Sequence, residues 1–468
     1  MTGASPEPGS YRDRESRVFY SGGEVFRALS GEAWRQWTAL RDRSFFRAAT
    51  ADGKVVATRE ADPTPPLPPD ILPTPVEGIL HHERVPFVSY PYEWSFRMLR
   101  AAALLQLDLL DAALAEGFVL KDSSAYNVQW RGARPLFVDV GSFEVLAPGD
   151  PWVGYLQFCR LFLYPLLLNA YRGVSFQPLL RGSLDGIDPE TASRLLHGRD
   201  RIRRGVPTHV HLHARLQSAH AADRRSARSS VRDAGFSAKL IVANVRSLRR
   251  LVESLRWRVE ASTWSGYGTG HGYEEAERHA KEAFVARAAG LSRGRLLWDL
   301  GCNDGHFTRI AAGSFSHAVA IDADHLTIDR LFEALEREDR RDVLPLVVNL
   351  VDPSPALGWR GRERRTLLER GRPDLVLALA LVHHLAIGAN VPVVELVSWL
   401  ADLGGDLVVE FVQPSDPMVE RLLLEKRDSY PDYELENFRR RLEERFDIAS
   451  EEELAGGRRV LFHARRRC

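Results

Sequence analysis

Residues 296–305 read LLWDLGCNDG, an apolar run that carries Asp299 and then places Gly301 and Gly305 four residues apart. This is how a buried parallel strand enters a tight turn, where glycine lets the backbone approach a ligand that a Cβ would keep away. A second apolar run, Val319-Ala320-Ile321-Asp322, ends in a carboxylate. It follows the first at about the interval at which nucleoside-binding folds place the acid that grips a ribose. A nicotinamide-binding loop would need glycine where Asn303 stands, so the spacing favours another adenosine-sized ligand.

The alternation continues through the last third of the chain. Strands are expected at 296–300, 317–322, 344–349, 374–380 and 405–412, with helices such as Leu326 to Glu336 and Val391 to Leu400 between them. Five such repeats imply a parallel sheet covered on both faces. Phe446 to Ala449 and Arg459 to Ala464, joined through Gly456-Gly457, read as a closing hairpin.

The loop form D-x-G-x-N-x-G resembles the first motif of class I S-adenosylmethionine-dependent methyltransferases in their Asn-for-Gly variant. With YPYEW at Tyr90–Trp94, KDSSAYNVQ at Lys121–Gln129 and DLGCN at Asp299–Asn303, the chain is similar to a bacterial, nodulation-type group of such enzymes. The resemblance implies an α/β fold, a Rossmann-like seven-stranded sheet over 263–468, with S-adenosylmethionine as cofactor. It implies that Asp299 orients the glycine loop or a methionine amine. Gly301, Asn303 and Gly305 would then meet the methionine portion, and Asp322 both ribose hydroxyls, since one carboxylate can accept two donors. Asn349 or Asp352 would face the adenine. Tyr267 and Tyr273 lie in an aromatic segment that also holds Trp264, Lys281 and Phe284, and would close over the cofactor or simply pack.

Methyl transfer needs alignment of nucleophile and sulfonium, and for an oxygen or nitrogen acceptor sometimes a base. His383 and His384, after the fourth strand, and Glu410, in the fifth, are the candidates, with a structural role as the alternative for each. No metal ligand set is suggested. The acceptor expected is a small molecule or glycan. A scaffold that binds the cofactor without catalysis is the other reading of this region.

Residues 1–204 read as an α+β accessory domain with a disordered tail and a Pro-rich joint over 63–69. Asp122 and Asn127, five apart, followed by Asp139 two before Gly141, resemble the catalytic loop and magnesium-binding segment of kinase-like phosphotransferases. The helix Trp94 to Leu110 and the segment Val85 to Tyr90 would be the central helix and hinge strand. No glycine-rich nucleotide loop accompanies them, and Arg59 is expected where the phosphate-pairing Lys would stand. A bifunctional methyltransferase and phosphotransferase is therefore the alternative function.

Lysine plus arginine and aspartate plus glutamate balance at 63 each, which gives no general pull toward nucleic acid. The balance hides a basic helical connector over 205–262. Residues 201–260 hold fourteen cationic against four anionic side chains, an excess that reads as the wet face of a solvated interdomain helix pair such as Leu240 to Leu255, with a site for an anionic acceptor as the alternative. Cys159, Cys302 and Cys468 have no paired spacing, so neither a disulfide framework nor a zinc site is expected. The N-terminus has no apolar signal core. The run Leu161 to Leu168 is far shorter than the ~20 residues of a spanning helix, so a cytoplasmic protein is expected. The sequence is silent on oligomeric state.

Overall fold

The computed structural model describes residues 3–215, 238–259, 275–424 and 426–467. Its contacts divide the chain into two compact units. Unit 1 comprises 1–130, 135–259 and 356–364, and unit 2 comprises 131–134, 260–355 and 365–468.

Unit 1 opens with an antiparallel sheet. Its strands β1 (Ser5–Pro6), β2 (Ser16–Ser21), β3 (Glu24–Leu29), β4 (Thr58–Glu60) and β5 (Gly78–His82) lie in the order β1-β2-β3-β5-β4. Between β3 and β4 run helices α1 (Gly31–Leu40) and α2 (Ser44–Ala51), α1 capped by the Ser30 hydroxyl. Helix α3 (Phe96–Ala115) is capped by Ser95, and twelve of its side chains are buried around most of its circumference. A helix so apolar on all sides belongs inside a core. Short strands β6 (Phe118–Leu120), β7 (Val128–Arg131), β8 (Arg134–Phe137) and β9 (Phe143–Val145) frame the loop 121–127.

Four expectations for this region are corrected. The tail is not loose from residue 3 onward: β1 pairs with β2, and Tyr11 and Arg12 both donate to the Glu363 carboxylate, at 2.9 and 2.7 Å. Residues Val85 to Tyr90 form no strand. Arg59 is exposed on β4, and the arginine beside Asp139 is Arg27 on β3. The connector is not a separate body where it is described. Helix α4 (Ala238–Ser254) packs on α3 and pairs Arg246 with Asp111 at 3.0 Å and Arg249 with Asp108 at 2.5 Å. Part of its basic excess is thus answered within the unit. Residues 216–237 of the connector lie outside the described residues.

Unit 2 is an α/β structure around one seven-stranded mixed sheet. Its strands are β10 (Gly294–Leu300), β11 (Phe315–Asp322), β12 (Val343–Val347), β13 (Leu375–Ala378), β14 (Asp406–Val412), β15 (Phe446–Glu453) and β16 (Arg459–Arg466). They lie in the order β12-β11-β10-β13-β14-β16-β15. The first five are parallel, and β16 enters antiparallel between β14 and β15. The order reverses at β10, so the ends of β10, β11 and β13 border the switch point where doubly wound sheets receive ligands. Helices α5 (Glu275–Leu291), α6 (His306–Ala312), α7 (His325–Arg337) and α8 (Val393–Leu403) connect or flank the strands. Both faces being covered, strands such as Leu375–Ala378 are buried at every residue.

Two strands end earlier than the apolar pattern suggests. β12 stops at Val347, and beyond it the Asn349 side chain accepts the Val351 N–H at 3.0 Å to close a turn. β13 stops at Ala378 because Ala380 has φ 49° and turns its N–H away, to the Glu410 carboxylate at 2.8 Å.

Candidate functional site

The loop after β10 alternates left-handed residues, Gly301 (φ 76°), Asn303 (φ 48°) and Gly305 (φ 75°). Asn is among the few residues besides Gly that adopt this region readily, which is why it can stand here. Both Gly301 N and Cys302 N donate to Ile321 O, at 2.8 and 2.9 Å, tying the loop to β11. At Gly305, itself left-handed, a Cβ would lie 2.8 Å from a Leu331 methyl, so a larger residue in the turn into α6 would be strained and would displace Leu331.

Asp322, at the end of β11, accepts the Asn303 N–H at 3.0 Å on one oxygen and the Asp324 N–H at 2.8 Å on the other. A carboxylate has about four acceptor positions, so each oxygen keeps capacity for a further donor. Burial raises its pKa against the pull of these backbone N–H groups. Asp299 is buried and accepts the Thr308 hydroxyl at 2.5 Å. Burial pushes its pKa up to about 7, the Thr308 hydrogen bond opposing and the nearby Asp322 adding to the rise.

This shift has a consequence for stability. Folding raises the Asp299 pKa from the ordinary 3.8 to about 7, so in that window the folded state binds the extra proton. The stabilisation is full below pH 3.8 and is lost as pH rises through 7. Urea midpoints of wild type should therefore fall between pH 5 and 8 more than those of Asp299→Asn. Parallel pH profiles for the two would contradict the assignment.

Asn349 and Asp352 are both exposed beyond β12, and Asp352 N donates to Asn349 O at 3.1 Å. Tyr267 and Tyr273 lie outside the described residues, as does Trp264. The described part of that segment is α5, where Phe284 is core.

His383 is fully buried, its ring 4.0 Å from that of His384, and both its nitrogens lack a hydrogen-bond partner among the described residues. Burial, with His384 beside it, holds its pKa well below the ordinary imidazole value; burial brings His384 down to about 4. Both are neutral near pH 7. A buried imidazole with neither nitrogen satisfied is costly.

Glu410 is also fully buried, but its carboxylate is taken up. Lys281 donates to it at 2.6 Å, Arg459 at 3.3 Å and Ala380 N at 2.8 Å, and Arg459 also reaches Asp416 at 2.9 Å. The four side chains form a buried network with two charges of each sign. The Lys281 ammonium further lies 4.6 Å from the centre of the Phe307 ring.

Sequence reasoning did not connect these groups. Lys281 was visible only as part of an aromatic segment, and it meets Glu410 across 129 residues. Thr308 and Arg459 carry no motif of their own. Among the described residues no cluster of His, Cys, Asp and Glu could hold a metal, and no helix is long and apolar enough to cross a membrane.

No family model matches the chain. Among solved structures, the N-methyltransferase NodS from Bradyrhizobium japonicum WM9 overlaps 41% of this chain and 98% of its own, at 14% identity and a TM-score of 0.31. Magnesium protoporphyrin IX methyltransferase from Synechocystis PCC 6803, with S-adenosylhomocysteine bound, overlaps 43% of this chain and 92% of its own, at 15% identity and a TM-score of 0.31. In sequence, the nodulation protein NoeA of Rhizobium meliloti (strain 1021) is 32% identical over 472 residues, covering 99% of this chain and 97% of its own. With a relative so similar along nearly its whole length, the chain belongs to the family of nodulation protein NoeA.

Proposed function

We propose that unit 2 binds S-adenosylmethionine and transfers its methyl group to an oxygen or nitrogen of a small-molecule or glycan acceptor. The observation that carries this reading is the meeting of the left-handed loop 301–305 with the Asp322 carboxylate at the switch point of the sheet. In this reading Gly301, Asn303 and Gly305 give the methionine portion access to backbone, and Asp322 accepts the ribose hydroxyls. Asp299 stands next to Asp322 to take an ammonium. Asn349 and Asp352 are assigned to the adenine side, and Tyr267 and Tyr273 to closure over the cofactor.

The bound cofactor supplies the activated methyl group, and the chain supplies alignment and a place for the acceptor's proton. His383 suits the role of proton acceptor, because it is neutral and its unsatisfied nitrogens call for a partner. Its lowered pKa makes it a weak base, so its contribution falls at the lower end of the usual range for general bases. Glu410 is read as a positioning residue, because its carboxylate already serves two cations and one backbone N–H. His384 is read as the ring that fixes His383.

Methyl-tritiated cofactor, incubated with the protein and an extract of the organism that carries it, should label one acceptor class. His383→Asn should slow that labelling about a hundredfold while S-adenosylhomocysteine affinity persists. Full-rate labelling in His383→Asn/His384→Asn would assign the pair to structure, and no labelling by a wild type that binds the cofactor would favour the scaffold reading.

A further inference from the structure

The resemblance of the loop 121–127 and Asp139 to kinase-like phosphotransferases implies a magnesium ion held by Asn127 and Asp139. The residues around Asp139 do not fit one. Arg27, on the central strand β3, has a side chain only 7% exposed and places Nη1 2.8 Å from Asp139 Oδ1. The other carboxylate oxygen accepts the Ser142 hydroxyl, and Ser142 Oγ accepts Asn127 Nδ2 at 3.3 Å. Each Asp139 oxygen thus already carries a donor within the unit, one of them the Arg27 cation, and Asn127 is tied to Ser142 through its Nδ2.

The guanidinium is held at two further points. Nη1 also donates to Ser16 Oγ at 2.8 Å, and Nε donates to His82 Nε2 at 3.3 Å. The Thr58 hydroxyl donates to Val56 O at 2.9 Å, so its oxygen accepts the His82 Nδ1–H at 2.9 Å. That leaves the Nε2 lone pair turned to Arg27. Burial, with Arg27 next to it, keeps His82 neutral, and it does not repel the guanidinium. Gly141 completes the cradle: a Cβ there would come within 3.1 Å of Ser16 Oγ and 3.2 Å of Arg27 Nη1.

We infer that Arg27 is the resident cation beside Asp139, standing where a divalent metal would have to bind, so that unit 1 takes neither the metal nor a metal-bound polyphosphate. Asp122 is a further carboxylate near Asp139. It is half-buried, and burial followed by the charge of Asp139 raises its pKa. Removing the guanidinium would leave Asp122 and Asp139 as neighbouring anions, the pairing a hard divalent cation seeks.

The test uses the full-length chain and manganese(II), the free ion being followed by its electron paramagnetic resonance signal. Wild type and Asp139→Asn should bind equally, with no Asp139-dependent site at millimolar ion, and magnesium ATP should give no melting shift that Asp139→Asn removes. Arg27→Gln should gain a site at least about tenfold tighter than any in wild type, worth about 1.4 kcal/mol, and lose it in Arg27→Gln/Asp139→Asn. Manganese binding or an ATP shift in wild type that Asp139→Asn abolishes would overturn the inference, as would a folded Arg27→Gln that gains nothing. Should Arg27→Gln fail to fold, the comparison of wild type with Asp139→Asn decides alone.

Discussion

Asp322→Ala is expected to lose S-adenosylhomocysteine affinity by about 10² to 10⁴. The carboxylate ends β11 at the sheet's switch point, each oxygen is oriented by one backbone N–H, and each retains capacity for a further donor. Two hydrogen bonds from ribose hydroxyls to a charged acceptor contribute about 1.5–3 kcal/mol each, and every 1.4 kcal/mol is tenfold in affinity. The loss has a structural part as well, since Asn303 N and Asp324 N would both be left without their acceptor. Asp322→Asn separates the two: it keeps an oxygen for one backbone N–H but cannot accept two ribose donors, and should fall between wild type and Ala. Isothermal titration reads all three. Undiminished affinity in Asp322→Ala would remove Asp322 from the cofactor site.

Glu410→Ala should cost unit 2 about 3–5 kcal/mol, the range for breaking a buried ion pair from one side. The variant leaves Lys281 and Arg459 buried with Asp416 as their only anion within the network, and strips the left-handed Ala380 of its N–H acceptor. Lys281→Met/Glu410→Gln, which removes a charge of each sign at similar volume, should lose less than Glu410→Ala although it changes two residues. Urea unfolding measures both. If Glu410→Ala stays within about 1 kcal/mol of wild type yet abolishes methyl transfer, Glu410 is the base and not a positioning residue.

The features legible in the sequence are those that repeat locally. Apolar runs placed β10 to β14 to within a few residues, and Gly301, Asn303 and Gly305 announced a turn that only left-handed residues can make. Two strand ends were misjudged because the chain leaves the sheet while still apolar. Ala380 turns out at φ 49° to meet Glu410, and no local pattern reports a partner thirty positions away. The same limit hid the pairs Lys281–Glu410 and Arg459–Asp416: Glu410 stands out as a strand-borne carboxylate, but nothing near it in sequence names the cations that meet it. In the connector, composition shows the basic excess but not that the arginines at 246 and 249 answer carboxylates on α3. In unit 1 the motif spacing of Asp122, Asn127 and Asp139 was visible, but Arg27, which decides the chemistry beside Asp139, sits on a hairpin strand far upstream.

The most direct measurement is titration of the wild-type chain with S-adenosylhomocysteine and, separately, with NAD⁺. Both carry adenosine, and both suit a parallel sheet with a glycine loop, but only a loop with Asn303 in place of the middle glycine is expected to discriminate between them. The expected result is one S-adenosylhomocysteine site per chain, weakened in Asp322→Ala, and no NAD⁺ binding at the same concentrations. A wild-type chain that binds no S-adenosylhomocysteine, or binds NAD⁺ equally well, would contradict the assignment of unit 2 to methyl transfer.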